Sequence, residues 1–130
     1  MDQRTTIPPA TDADDPALSI ALVDPDDASR RALHMVLSGQ RHRVRSYDSD
    51  RALADDMKAA EADWLIIAIR GDSASLAAVE RLRDRGWRGR LAVIVEPGAM
   101  PPRDGGLIGA RDLILAHPVA PHAWRIGLSG

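Results

Sequence analysis

Hydrophobic positions along the chain fall into two rhythms. Short continuous apolar runs, Ile20-Ala21-Leu22-Val23, Trp64-Leu65-Ile66-Ile67-Ala68, Leu91-Ala92-Val93-Ile94-Val95 and Leu113-Ile114-Leu115-Ala116, are bounded by charged or turn residues. Runs of this length, rich in β-branched members, read as strands buried on both faces. Between them, apolar residues recur at helical spacing: Leu33, Val36 and Leu37, then Ala52, Leu53 and Met57 with Ala60, then Leu76, Val79 and Leu82. That spacing draws one apolar stripe along an amphipathic helix. His42 to Tyr47 alternates weakly, with Val44 between two arginines, and reads as an edge strand.

Start and stop signals bound these elements. Asp24-Pro25-Asp26-Asp27 predicts a helix start, with Asp24 as N-cap, Pro25 at the first helical position and acids in the first turn. Ser38-Gly39 ends that helix. A second helix is expected over about 49–62 and a third over about 73–85, closed by Gly86. Residues 97–109 hold three prolines and four glycines, which argues for a loop over a regular helix. Only a short helix, around 122–128, is expected at the end of the chain. Strands alternating with helices imply right-handed βαβ crossovers and a parallel sheet covered on both faces. Residues 1–17, with three prolines, four aspartates and three threonines, read as a flexible tail before one domain over 18–130.

Composition narrows the function. A net charge of −2 gives no electrostatic case for nucleic-acid binding. The absence of cysteine excludes disulfides, thiolate metal sites and cysteine nucleophiles. No apolar run approaches the ~20 residues that span a bilayer, and the first residues carry no export signal, so a cytoplasmic protein is expected. Arginine supplies all the basic side chains except Lys58, and alanine is abundant; such usage goes with GC-rich coding and a bacterial source.

Three segments together carry a resemblance. Ile20-Ala-Leu-Val-Asp24-Pro-Asp-Asp, Asp63-Trp-Leu-Ile-Ile-Ala68-Ile-Arg and Gly109-Ala-Arg-Asp-Leu-Ile-Leu-Ala-His117-Pro118-Val occur in the order and spacing of a response-regulator receiver domain. Over about 18–125 the chain resembles that family, which implies a flavodoxin-like (βα)5 fold with strand order 2-1-3-4-5. Here the helix after the fourth strand would be shortened or replaced by a loop, and the last helix would be short. In the family an aspartate ending the third strand accepts a phosphoryl group. Acidic residues after the first strand help to hold Mg²⁺, while a hydroxyl after the fourth strand and a lysine after the fifth contact the phosphoryl group. The acceptor position falls on Ala68, the acidic pair on Asp24 and Pro25 with Asp26 nearby, the hydroxyl on Val95 or Glu96, and the lysine on His117. Neither a serine nor a threonine occurs between Ser75 and Ser129, and Lys58 belongs to the second helix. No aromatic residue lies between Trp87 and Trp124, so the family's switch aromatic is missing too. The resemblance is to a degenerate, non-phosphorylatable receiver: a pseudo-receiver with no enzymatic role, metal or cofactor, working in bacterial signal transduction through a kinase, regulator or output domain or as a homodimer.

Other readings of these residues stand beside that one. Asp24 and Asp26 serve as helix caps or as a remnant cation site, and His117 near Asp24 or Glu96 would make a pH-sensitive pair. Asp63 and Asp72 are substitute acceptors or solvated boundary residues, and His34 reads as surface. Among the tryptophans, Trp64 reads as core, while Trp87 and Trp124 are interface candidates with Met100, Leu107 and Ile108; Trp87, between glycines and arginines, is the expected exposed anchor. Arg81, Arg85 and their neighbours read as a solvated helix face. A small-ligand module using the old pocket, or phosphorylation at another carboxylate, remain as alternative functions.

Overall fold

The apolar runs become a parallel sheet. The structure, a computed structural model, describes residues 17–69, 76–96 and 112–129. In chain order the elements are β1 (Ser19–Val23), α1 (Asp27–Gly39), β2 (Arg43–Tyr47), α2 (Asp50–Asp55), a 3₁₀ turn (Met57–Glu61), β3 (Trp64–Ala68), α3 (Leu76–Asp84), β4 (Arg90–Val95), β5 (Leu113–Ala116) and α4 (Pro121–Ser129). Strand order is β2-β1-β3-β4-β5, every neighbouring pair parallel. The order expected from the resemblance is therefore the observed one. Residues 1–16 of the expected tail over 1–17, Asp72, and Met100, Leu107 and Ile108 all lie outside the described residues.

Successive side chains of a strand point to opposite faces, so the central runs build two cores at once. Ala21, Val23, Leu65, Ile67, Leu91, Val93 and Val95 pack with Leu53, Val79 and Leu82 on one face. Ile20, Leu22, Trp64, Ile66, Ala68, Ala92 and Ile94 pack with Leu33, Leu37, Trp124 and Leu128 on the other. All five residues of β3 are buried. At the sheet's edge β2 alternates instead, with Arg43 and Arg45 exposed and Tyr47 buried.

Several sequence expectations are corrected. Asp26, not Asp24, caps α1: its backbone is extended and its carboxylate accepts the Ser29 N–H at 2.8 Å. Asp24 instead accepts the Asp26 N–H at 2.9 Å, which folds the chain over Pro25 and delays the helix by two residues. The second helix breaks at Asp56, whose carboxylate takes both the Lys58 N–H at 2.9 Å and the Tyr47 hydroxyl at 2.6 Å. Beyond that break Met57 turns outward and is 84% exposed, so it is not part of the inner face.

Trp87 is buried, not an exposed anchor. Its indole Nε1–H donates to the Ala62 carbonyl at 2.8 Å, and the Arg83 guanidinium lies 4.1 Å above the ring. Arg83 also donates to the carbonyls of Trp87 and Gly89, at 3.3 and 2.8 Å, closing the turn into β4. Gly89 is required there, since a Cβ would sit 2.4 Å from Trp87 Nε1 and 2.7 Å from the carbonyl oxygens of Ala62 and Asp63. Trp124 is likewise no interface side chain: with Leu128 it forms the inner stripe of α4 and is fully buried. Trp64 is core as expected, with Arg90 stacked 4.5 Å over its ring. Arg81, Arg85 and Arg88 are solvent-exposed.

Candidate functional site

Open parallel sheets place their sites outside the carboxyl ends of the strands. Here that edge is built from the ends of β1, β3, β4 and β5. Register pairs Val23 with Ile67, Ala68 with Ile94 and Val95 with Ala116. One residue beyond Val23, Asp24 is therefore level with Ala68, and its N–H is held by the Tyr47 carbonyl at 3.1 Å. The Ile69 N–H donates to Ile94 O and the His117 N–H to Val95 O, both at 2.8 Å. The structure thus brings Asp24, Ala68, Val95, Glu96 and His117 to one end of the sheet, with Pro25 and Asp26 in the turn that follows Asp24.

Their side chains do not all share a face. Ala68 belongs to the layer under α1 and α4, whereas Val95 belongs to the opposite layer with Ile67. Of the two candidates for the hydroxyl position, strand alternation puts Glu96 and not Val95 on the side of Ala68. Ala68 and Asp24 are completely buried, while Glu96 and His117 are half-buried. The peptide bond between His117 and Pro118 is cis.

One participant was missed in the sequence. Arg30, on the first turns of α1, donates to the Asp24 carbonyl at 3.0 Å and pairs with the Asp27 carboxylate at 2.5 Å. The three-residue spacing of Asp27 and Arg30 was a visible signal for the ion pair; the reach back to Asp24 was not. A guanidinium therefore fastens the acidic turn to α1.

The donor set does not fit the Mg²⁺ that a receiver would hold. Mg²⁺ requires near-octahedral oxygen ligands, usually with one or two carboxylates. At this edge Pro25 and Ala68 offer no side-chain oxygen, the Asp26 carboxylate is committed to capping α1, and the Asp24 carboxylate holds the turn. Among the described residues no group of three or more His, Cys, Asp or Glu side chains is placed to hold a metal ion. His34, expected at the surface, is half-buried and hydrogen-bonds Ser46 on β2.

Known structures share this architecture. A CheY-like response regulator receiver domain from Methylobacillus flagellatus superposes with a TM-score of 0.72 at 16% identity, covering 88% of this chain and 98% of that one. The chemotaxis protein CheY4 of Vibrio cholerae gives 0.72 at 19% identity, with coverage of 88% and 98%. The N-terminal domain of an uncharacterized Wolinella succinogenes protein gives 0.70 at 22% identity, covering 87% and 92%.

The chain has the receiver fold.

No family model and no curated protein matches the sequence. What the chain shares with receivers is thus the arrangement of strands and helices. Within that fold, the place at the end of β3 where the resemblance puts the nucleophile is held by a buried methyl group.

Proposed function

We propose that this receiver-fold chain is a pseudo-receiver: a non-enzymatic module of bacterial signal transduction that acts through protein contacts and independently of aspartyl phosphorylation. The observation that carries this reading is Ala68, fully buried at the end of β3 and packed among Ile66, Ile94 and their neighbours. A methyl group cannot attack a phosphoryl donor, and nucleophilic catalysis needs a group that can. The surrounding charges support the reading, because Asp24, Asp26, Asp27 and Arg30 are tied to one another and to the start of α1. The turn that serves chemistry in a receiver serves here as a structural clamp. Its partner is a protein, and its setting is the cytoplasm.

The test is incubation of the chain with acetyl phosphate, or with beryllofluoride, in the presence of Mg²⁺. Intact mass and melting temperature are expected to stay unchanged. A covalent phosphoryl adduct on any carboxylate would overturn the proposal.

A further inference from the structure

We propose that Ser46 is an acylation site: His34 activates its hydroxyl, and the pair takes the acyl group of an ester with an apolar chain. The site lies on α1 and β2, away from Ala68 and His117, and goes beyond the reading of the chain as an interaction module. Val44 packs into the layer under α1, and strand alternation puts Ser46 on that same face. His34, one residue after the core position Leu33, meets it there, with Nδ1 and Oγ 2.5 Å apart. Both side chains are half-buried, and both line a cavity of about 310 Å³ with Arg30, Arg31 and Met35.

The parts of an acyl transfer meet at this cavity. A serine hydroxyl is a weak nucleophile until a base within hydrogen-bond reach takes its proton. With the ring proton on Nε2, His34 Nδ1 is that base. The charge that develops on the carbonyl oxygen needs a donor, and the strand edge supplies one. Among the described residues β2 pairs with β1 alone. The Arg43 N–H donates to Leu18 O at 2.8 Å, and the Tyr47 carbonyl accepts from the Asp24 N–H at 3.1 Å. The backbone groups of residues 43, 45 and 47 are thus directed to β1, and the Ser46 N–H points to the open side, next to its own hydroxyl. A nucleophile's own N–H forms part of the oxyanion hole in serine acyl transfer. Arg31 makes neither a hydrogen bond nor an ion pair among the described residues and adds a positive charge to the cavity, whereas Arg30 is held by Asp24 and Asp27. Met35, 74% exposed, offers the acyl chain an apolar contact.

In the reaction, Ser46 Oγ bonds to the acyl carbon as its proton passes to His34 Nδ1. The ester C–O bond then breaks, and the leaving alcohol departs with that electron pair and the proton from His34. Among the described residues nothing bonds Nε2 to orient the ring for a second transfer. The acyl group therefore stays on Ser46, and the chain is modified once without turnover. Acetyl phosphate, whose methyl group is too small to fill the cavity, is not such a donor.

The experiment incubates the full chain with p-nitrophenyl butyrate and, separately, with a fluorophosphonate probe. An equimolar burst of nitrophenolate is expected, with the butyryl group mapped to Ser46 by peptide mass spectrometry and the fluorophosphonate on the same residue. Ser46→Ala is expected to abolish both. His34→Ala is expected to slow the burst about a hundredfold and to recover it in added imidazole. A purely structural tie between α1 and β2 would give no such rescue. The heat-unfolded chain is expected not to react, a comparison that depends on no variant folding. A butyryl group found only on Lys58 or the terminal amine, an unchanged burst in Ser46→Ala, or labelling that survives unfolding would overturn the proposal. So would a reaction lost in His34→Ala that imidazole does not restore while the melting temperature holds.

Discussion

Ala68 and Tyr47 show how single side chains divide the chemistry of this fold. Ala68 is fully buried, packed with Ile66 and Ile94 and level with the buried Asp24, so Ala68→Asp would add a second buried acid there and cost about 3 kcal/mol. That variant is expected to melt earlier and still gain no mass from acetyl phosphate, because the position that the resemblance gives to a receiver's lysine falls on His117. Tyr47 sits at the far edge of the same end of the sheet. Burial, reinforced by its hydrogen bond to the Asp56 carboxylate, pushes its phenol well above the ordinary tyrosine range. The hydrogen bond from Tyr47, then the Lys58 N–H, lowers the Asp56 carboxyl below the ordinary aspartate range. The signs differ. For Tyr47, stability is fully present below about pH 10, the unfolded value, and falls as pH rises beyond it. For Asp56, stability is present above about pH 4 and is lost as pH falls through the folded value. Tyr47 is the chain's single tyrosine, so an absorbance titration reads it directly; ionisation is expected only as the protein unfolds in base. Tyr47→Phe is expected to raise the Asp56 pKa toward normal by NMR titration, and to cost about 1 kcal/mol in urea unfolding.

At the level of elements, caps and breaks matter more than propensity. The run Asp24-Pro25-Asp26-Asp27 pointed to Asp24 as the cap of α1, and the choice fell on Asp26 because the Asp24 carboxylate is claimed by a local turn. Asp26→Ala is expected to cost about 1 kcal/mol by thermal or urea melting. Asp27 is the control: it is strongly exposed and pairs with Arg30, so its loss is expected to cost less than half as much. The break at Asp56 follows the same logic. The stripe Ala52, Leu53, Met57 has helical spacing, yet a tertiary bond from Tyr47 and a cap on Lys58 stop α2 after six residues. Trp87 was misplaced for a related reason. Flanking glycines and arginines mark exposure in sequence, but here Gly89 lets the chain approach the indole, and Arg83 covers its face.

For the whole molecule, the two-faced core predicts an uneven stability. β1, β3 and β4 are enclosed by a layer on each face, whereas β5 alternates between half-buried and exposed residues. Amides of the central strands are expected to exchange only by global unfolding, at about 5–10 kcal/mol. Those of β5 are expected to open about 2 kcal/mol more easily, and native-state hydrogen exchange would measure the gap. The strands were legible in the sequence as continuous apolar runs between helical stripes, and their order was legible only through the resemblance that three segments carry. Which faces those strands buried was hidden, because a strand covered on both sides has no alternation to read. Contacts between elements decided the break at Asp56 and the burial of Trp87 and Trp124, while the cap at Asp26 and the clamp of Arg30 on the Asp24 turn were settled among neighbours two to six residues apart. The former depend on where a carbonyl, a carboxylate or a ring from another element arrives, the latter on which neighbour claims a carboxylate first, and only the folded chain sets those positions.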